Sequence, residues 1–241
     1  MSDAIRNYRN VVEQPWGRMF YDLVWEQLPI DNDKSLRILD FGAGFCLTAD
    51  HYAKWHDVTA VEPNSEMYEL RVKNNDYTLV TQGIEYLRSV ADNSYDVVIC
   101  HNVLEYIDDT DAYLKELARV LRHGGLLSIV KHNDYGKVFA YAILNDNPKA
   151  ALDVLEPDNT EDSMFGQRNV YDDTYLVTTL VPQMAHIDTY GMRAFYGLSS
   201  NNEVKFTDEW YKSMLELEMK ASTIDAFKQV AFFHHLLFKK K

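Results

Sequence analysis

Between residues 36 and 132, short apolar runs alternate with stretches of helical spacing, the pattern of successive βα units. LRILDF (36–41) reads as a strand broken by Gly42-Ala43-Gly44, and FCLTADHYAKW (45–55) then takes up a three-or-four apolar period. DVTAVE (57–62) is a second strand, and PNSEMYELRVKNN (63–75) a helix whose opening suits Pro63 and Ser65. YTLVTQ (77–82) and YDVVIC (95–100) follow as third and fourth strands. DDTDAYLKELARVLRHGG (108–125) reads as a helix opened by acidic residues and stopped by Gly124 and Gly125, ahead of a fifth strand, LLSIVKH (126–132). Such units connect right-handed, so the expected fold is α/β: a doubly wound, mainly parallel sheet with helices on both faces.

The pattern changes on either side of this block. EQPWGRMFYDLVW (13–25) predicts an amphipathic helix with Phe20, Leu23, Val24 and Leu28 turned inward. Residues 134–170 show no clean period and read as a mixed helical and loop insertion, an inserted lid. VYDDTYLVTTLVPQM (170–184) looks helical and HIDTYGMRAFYGL (186–198) extended. TDEWYKSMLELEMKAS (207–222) predicts a helix that buries Trp210, Met214, Leu217 and Ala221, and FKQVAFFHHLLF (227–238) a closing strand. Two late strands make an antiparallel edge pair and bring the sheet to seven. With no repeat, low-complexity tract or linker, the expectation is a single domain over 1–241: a helical cover (1–35), a cofactor-binding half (36–133) and a substrate-side half (134–241).

Composition narrows the class. A hydrophobic content of 46% with 25% charged residues suits a soluble protein with a sizeable core. No apolar run approaches the roughly 20 residues that span a bilayer, and MSDAIRNYRN lacks the apolar middle of a signal peptide. Cys46 and Cys100 have no CxxC spacing, which points away from a disulfide scaffold or metal site and toward the reducing cytoplasm. The net charge of −13 disfavours a nucleic-acid backbone as partner. Residues 146–173 are especially acidic (Asp146, Asp153, Glu156, Asp158, Glu161, Asp162, Asp172, Asp173). An RNA partner would need a local basic surface, for which Arg6, Arg9, Arg18, Lys131, His132, Lys137 and Arg193 are the candidates. Oligomeric state is not written in the sequence.

The chemistry concentrates in ILDFGAGFC (38–46). Asp40 ends a strand, and the Gly42-Ala43-Gly44 turn lets backbone N–H groups approach a ligand at the carboxyl end of the sheet. Glu62, about twenty residues on, ends the next strand, where a carboxylate can accept both hydroxyls of a ribose. A nicotinamide dinucleotide would also use such a pair. However, Cys46 stands where its third glycine would fall, and a ligand-facing Asp40 repels phosphates while suiting an ammonium.

Over residues 36–132 the chain resembles the class I S-adenosylmethionine-dependent methyltransferases. ILDFGAG resembles their first motif, VEPNSEM (61–67) their acidic second-strand motif, YDVVICHNVLEYI (95–107) their fourth-strand motif, and LARVLRHGGLLSIV (117–130) the approach to their fifth strand. The resemblance implies S-adenosylmethionine as cofactor and methyl transfer as activity. It implies Asp40, Gly42, Ala43 and Gly44 beside the methionine part and Glu62, flanked by Pro63 and Met67, at the ribose. Gly83 with Ile84 or Glu85 would flank the adenine. His101 and Asn102 would close the fourth strand above the methionine, His101 acting either in the site or as packing. Glu105 is either a base or an acid favoured by a helix dipole. Arg18 is expected at the cofactor carboxylate, with Trp16 and Tyr8 as shields, although plain amphipathic packing explains the same segment.

HNVLEY (101–106), Asn133, GMRAF (191–195), LELE (215–218) and FFHHLLF (232–238) are similar to segments of the bacterial tRNA methyltransferases that esterify 5-carboxymethoxyuridine at the wobble position. That likeness implies O-methylation of a carboxylate, which is already ionised and needs alignment rather than a base. Arg193 would hold the second oxygen, or else be a solvated strand residue. Tyr135, Tyr190 and Tyr196 would stack on a base, or pack. Two rival readings remain: a methyltransferase for a small molecule, with His101 as base for a hydroxyl or amine, and a non-catalytic cofactor-binding module.

Overall fold

The computed structural model describes residues 2–156, 161–163, 166–169 and 171–241. Strands β1 (Arg37–Phe41), β2 (Asp57–Val61), β3 (Thr78–Val80), β4 (Tyr95–His101) and β5 (Leu121–His132) run parallel. A small hairpin, β6 (Glu161–Ser163) with β7 (Gly166–Arg168), stands apart from the sheet. β8 (Met184–Met192) and β9 (Phe233–Lys240) complete a seven-stranded sheet of order β3-β2-β1-β4-β5-β9-β8, with β9 antiparallel to both neighbours. The expected doubly wound sheet with an antiparallel edge pair is therefore present.

Helices α1 (Asp3–Glu13) and α2 (Pro15–Gln27) precede the sheet, and α3 (Leu47–Tyr52), α4 (Ser65–Tyr68), α5 (Ile84–Ser89) and α6 (Thr110–Val120) follow β1 to β4. The insertion after β5 holds α7 (Asp134–Phe139), a π-helical turn (Ala140–Leu144) and α8 (Pro148–Val154). α9 (Asp173–Leu180), α10 (Asp208–Ala221) and α11 (Asp225–Lys228) support the late strands. Among the described residues, no helix is long and apolar enough to cross a membrane.

Strand parity divides the core. Leu39, Phe41, Val98, Cys100, Leu127 and Ile129 face α5, α6 and α9. Ile38, Val58, Ala60, Val97, Ile99 and Val130 face α2, α3 and α10. Because both faces are covered, β4 buries nearly every residue, and each such aliphatic side chain contributes about 1.5–3 kcal/mol.

Several expected boundaries move. The 108–125 helix ends at Val120, and strand pairing begins at Leu121. Gly124, at φ +72°, and Gly125 lie in a bulge of β5, where pairing skips from Leu121 to Leu126; they do not stop the helix. The 13–25 helix is α2, which starts at Pro15 after the extended Gln14 and runs to Gln27, and a further helix, α1, precedes it. The 45–55 and 63–75 helices shorten to α3 and α4, the third strand shortens to β3, and the extended 186–198 segment stops at Met192. The expected 170–184 helix is α9; Val170 lies outside the described residues, as does Asp158 of the acidic run. α10 keeps most of its expected face: Trp210 and Met214 pack on the core and Ala221 is buried, but Leu217 is 44% exposed, while Tyr211 and Glu218, the latter serving a loop described below, are buried beside them.

Candidate active site at the carboxyl ends of β1, β2 and β4

β1 lies between β2 and β4, so the chain leaves it toward opposite sides of the sheet and a crevice opens at the carboxyl ends. Register places Asp40 opposite both Ala60 and Ile99, with Glu62 one residue past β2 and His101 closing β4. Residues from these three strand ends line one cavity of about 580 Å³, a size that suits a cofactor.

The turn after β1 is built for close approach. Gly42 and Gly44 adopt φ +74° and +56°, and a Cβ on Gly42 would overlap the Val103 side chain. Cys46, in the place of the absent third glycine, also takes a left-handed backbone, φ +57°. The Glu62 carboxylate accepts the backbone N–H groups of Gly44 and Asn64, both at 2.8 Å, and ties the turn to the end of β2. Burial raises the Glu62 pKa against those bonds. Asp40 is only 4% exposed, and its Oδ2 has no hydrogen-bond partner. Burial first, with the Glu62 charge adding, pushes its carboxyl up to about 7 against a backbone bond from Ala49. An orphaned acidic oxygen beside a glycine turn, with a second acid at the next strand end, fits the ammonium and ribose of S-adenosylmethionine.

Ala43, Pro63, Met67, Gly83, His101, Asn102 and Arg193 line the same cavity as Asp40, Gly42, Gly44 and Glu62. Tyr8 and Trp16 also line it, so α1 and α2 form the expected cover. Three expected residues do not come together with them. Arg18 is a surface residue, paired with Asp22 at 3.3 Å and lying over the Tyr211 ring. The helical period turns it away from the pocket while Gly17 and Phe20 line it. Ile84 is buried under the start of α5, outside the cavity wall. Glu85 is exposed near Gly83 and is not part of the lining.

At the far end, His101 Nε2 lies 2.7 Å from Ser128 Oγ, which lies 2.7 Å from His235 Nε2; His235 Nδ1 meets Gln27 Oε1 at 2.8 Å. Burial holds both imidazoles neutral, His235 near 3 and His101 well below its usual range. Arg193 has left the strand at φ +62°, and it lies half-buried at the cavity wall. Its Nε is buried without a partner, and it forms no ion pair among the described residues. The Tyr196, Phe232 and Phe233 rings stand 5.5, 5.5 and 5.7 Å from its Cζ. The solvated-strand reading of Arg193 is thus excluded.

Sequence reasoning passed over His132 as a site residue. It lines the cavity, and Glu105, 1% exposed, accepts its backbone N–H at 3.1 Å and its Nδ1 at 2.8 Å. The signal was a glutamate after β4 and a histidine at the end of β5, strands that the βα order makes neighbours. Tyr135, Tyr190 and Tyr196 do not line the cavity, and the tyrosines that do are Tyr8, Tyr21, Tyr106 and Tyr113. The described part of the insertion also lies outside its wall. Nor does the basic surface assemble from its candidates. Lys131 is buried beside Asp173, Arg9 pairs with Glu13, Arg18 with Asp22 and His132 with Glu105, while Arg193 is inside the pocket.

Residues 39–129 match the methyltransferase domain family model, and this segment is a methyltransferase domain. The tRNA 5-carboxymethoxyuridine methyltransferase of Escherichia coli (strain K12) is 24% identical over 173 residues, covering 64% of this chain and 66% of the relative. The ubiquinone biosynthesis O-methyltransferase of Parvibaculum lavamentivorans is 30% identical over 119 residues, covering 46% of each. The chain thus spans less than two thirds of the length of either relative. An S-adenosylmethionine-dependent methyltransferase from Mesorhizobium loti superposes with a TM-score of 0.62 at 13% identity, covering 93% of this chain and 99% of that one. Fold and cofactor class agree with the expectations from sequence.

Proposed function

We infer that this chain, with its methyltransferase domain at residues 39–129, is an S-adenosylmethionine-dependent methyltransferase that acts on a carboxylate. The observation that carries the acceptor class is Arg193, a half-buried guanidinium at the cavity wall that forms no ion pair among the described residues, with its Nε buried and unpartnered and aromatic rings around it. Leaving a cation so placed costs several kcal/mol unless an anion meets it in the working state. Bound S-adenosylmethionine supplies an electrophilic methyl group on a sulfonium. Asp40 would hold the cofactor ammonium, the Gly42–Gly44 turn its amino-acid part and Glu62 its ribose, and Arg193 would hold one oxygen of the acceptor carboxylate and leave the other free to take the methyl group. Phe20, Trp16 and Phe233 keep water from the reacting atoms. Since the nucleophile is already ionised, this transfer needs no proton removal.

The Escherichia coli relative supports a tRNA wobble carboxylate as the acceptor. The net charge of −13 and the internal pairing of Lys131, Arg9 and Arg18 favour a second reading, a small-molecule acid. A cytosolic location suits either. Incubation of the protein and S-adenosylmethionine with tRNA bearing 5-carboxymethoxyuridine, and separately with small carboxylic acids, separates the two by product mass. Ester on the nucleoside supports the first reading and ester on the free acid alone supports the second. Tight cofactor binding without any ester would instead favour a binding module.

A further inference from the structure

We propose that Glu105 and His132 form a built-in general base, which gives the pocket a second activity: methylation of a hydroxyl or thiol on an acceptor anchored through an anionic group. This proposal rests on the methyltransferase reading above. Esterification of a carboxylate has no use for a base, yet the pocket contains one. In its ionised form the Glu105 carboxylate only accepts hydrogen bonds, and the 2.8 Å contact with His132 then holds the imidazole proton on Nδ1. Nε2 is then the basic atom, and it has no hydrogen-bond partner among the described residues. The second Glu105 oxygen takes the His132 backbone N–H at 3.1 Å, so both ends of the histidine are held by one buried carboxylate. A base oriented by a buried acid is the arrangement that activates weak nucleophiles in unrelated enzymes.

His101 is poorly suited to the task. Its Nε2 is engaged by Ser128, and burial among neutral partners holds it well below its ordinary range. His132 is instead placed beside the anion anchor: its ring lies 4.7 Å from Phe233, and Arg193 Cζ lies 5.7 Å from the same ring. An acceptor whose carboxylate rests on Arg193 brings a neighbouring hydroxyl to the His132 side of Phe233. The acceptor O–H or S–H proton passes to Nε2 as the new bond to the methyl carbon forms. The sulfonium–methyl bond breaks with its electron pair remaining on sulfur, and Glu105 stabilises the imidazolium until its proton leaves to water.

The test uses benzoate, 4-hydroxybenzoate and 4-mercaptobenzoate as probes, with the full chain, His132→Gln and Glu105→Gln, reading product mass and release of demethylated cofactor. The wild type is expected to form methyl ether or thioether. His132→Gln is expected to reduce kcat for the hydroxyl probe by about 100-fold or more, the usual worth of a general base. That loss should exceed the loss in ester formation at least tenfold, with Glu105→Gln intermediate. Cofactor binding by calorimetry shows whether each variant is folded; for a variant that is not, the wild-type products decide. Ester without ether or thioether from the wild type overturns the proposal, as does an equal loss on all probes in a folded variant. Release of no demethylated cofactor with any acceptor overturns the methyltransferase reading and this proposal together.

Discussion

Glu218 acts on Arg193 through its charge but forms no ion pair with it among the described residues, because its oxygens are taken up by the backbone next to that arginine. The Glu218 carboxylate on α10 accepts three successive backbone N–H groups, from Ala194, Phe195 and Tyr196 at 2.8, 2.9 and 2.7 Å. It thereby holds the loop in which Arg193 takes its left-handed backbone, φ +62°, and leaves the guanidinium charge for a ligand. Placing a glutamate on the buried face of α10 is the local cost of that arrangement.

Glu218→Gln exchanges an all-acceptor group for one that presents an amide donor to backbone donors. The expected result is a loss of about 2–3 kcal/mol in urea unfolding. Steady-state kinetics should show KM for the carboxylate acceptor rising more than kcat falls. Arg193→Lys keeps the charge and loses the fork, and is expected to lower kcat/KM by about 100-fold with cofactor affinity retained.

Asp40 predicts a pH dependence of stability with a definite sign. Its folded pKa, about 7, lies above the unfolded value of 3.8, so its contribution is complete below pH 4 and is lost as pH rises through 7. His235, held near 3, acts in the opposite sense: its contribution is complete above pH 6.5 and is lost as pH falls toward 3. The two slopes offset each other in the wild type. Asp40→Asn removes the first, so the stability of the variant relative to the wild type should grow by roughly 4 kcal/mol between pH 4 and 7. Urea titrations across that range measure it, and a difference independent of pH would refute the assignment.

The glycine turn predicts a ranking. Gly42→Ala places a methyl group into Val103 at φ +74° and is expected to cost more than the 1–2 kcal/mol of a left-handed residue alone. Gly44→Ala meets only the flexible end of Met67, at 3.1 Å, and should cost less. Thermal unfolding and cofactor calorimetry of the two variants check the order.

Ser128 bridges two neutral histidines by hydrogen bonds in the chain from Gln27 to His101. Ser128→Ala leaves an Nε2 on each ring unsatisfied and should destabilise the protein by about 1–3 kcal/mol. Ser128→Thr should recover part of this. Nitrogen chemical shifts of His101 should change in the alanine variant, since its proton position is no longer set by the relay.

The cofactor half was legible in the chain because its determinants are local. A strand that ends in Asp40, glycines at the turn and a glutamate closing the next strand are set by periodicity and backbone sterics, and βα order alone brings them to one end of the sheet. The same reasoning misplaced Arg18, because an amphipathic pattern marks which residues face the core and not which of the others face a ligand. It also placed Leu217 of α10 with the core and gave no sign that Glu218 is buried, since no local rule buries an acid whose partners lie in a loop 22 to 24 residues earlier. His132 with Glu105, His101 with Ser128 and His235, and the isolation of Arg193 were likewise decided only in three dimensions. Each depends on which strands become neighbours and on burial, which sets hydrogen-bond partners and charge states that no sequence interval contains.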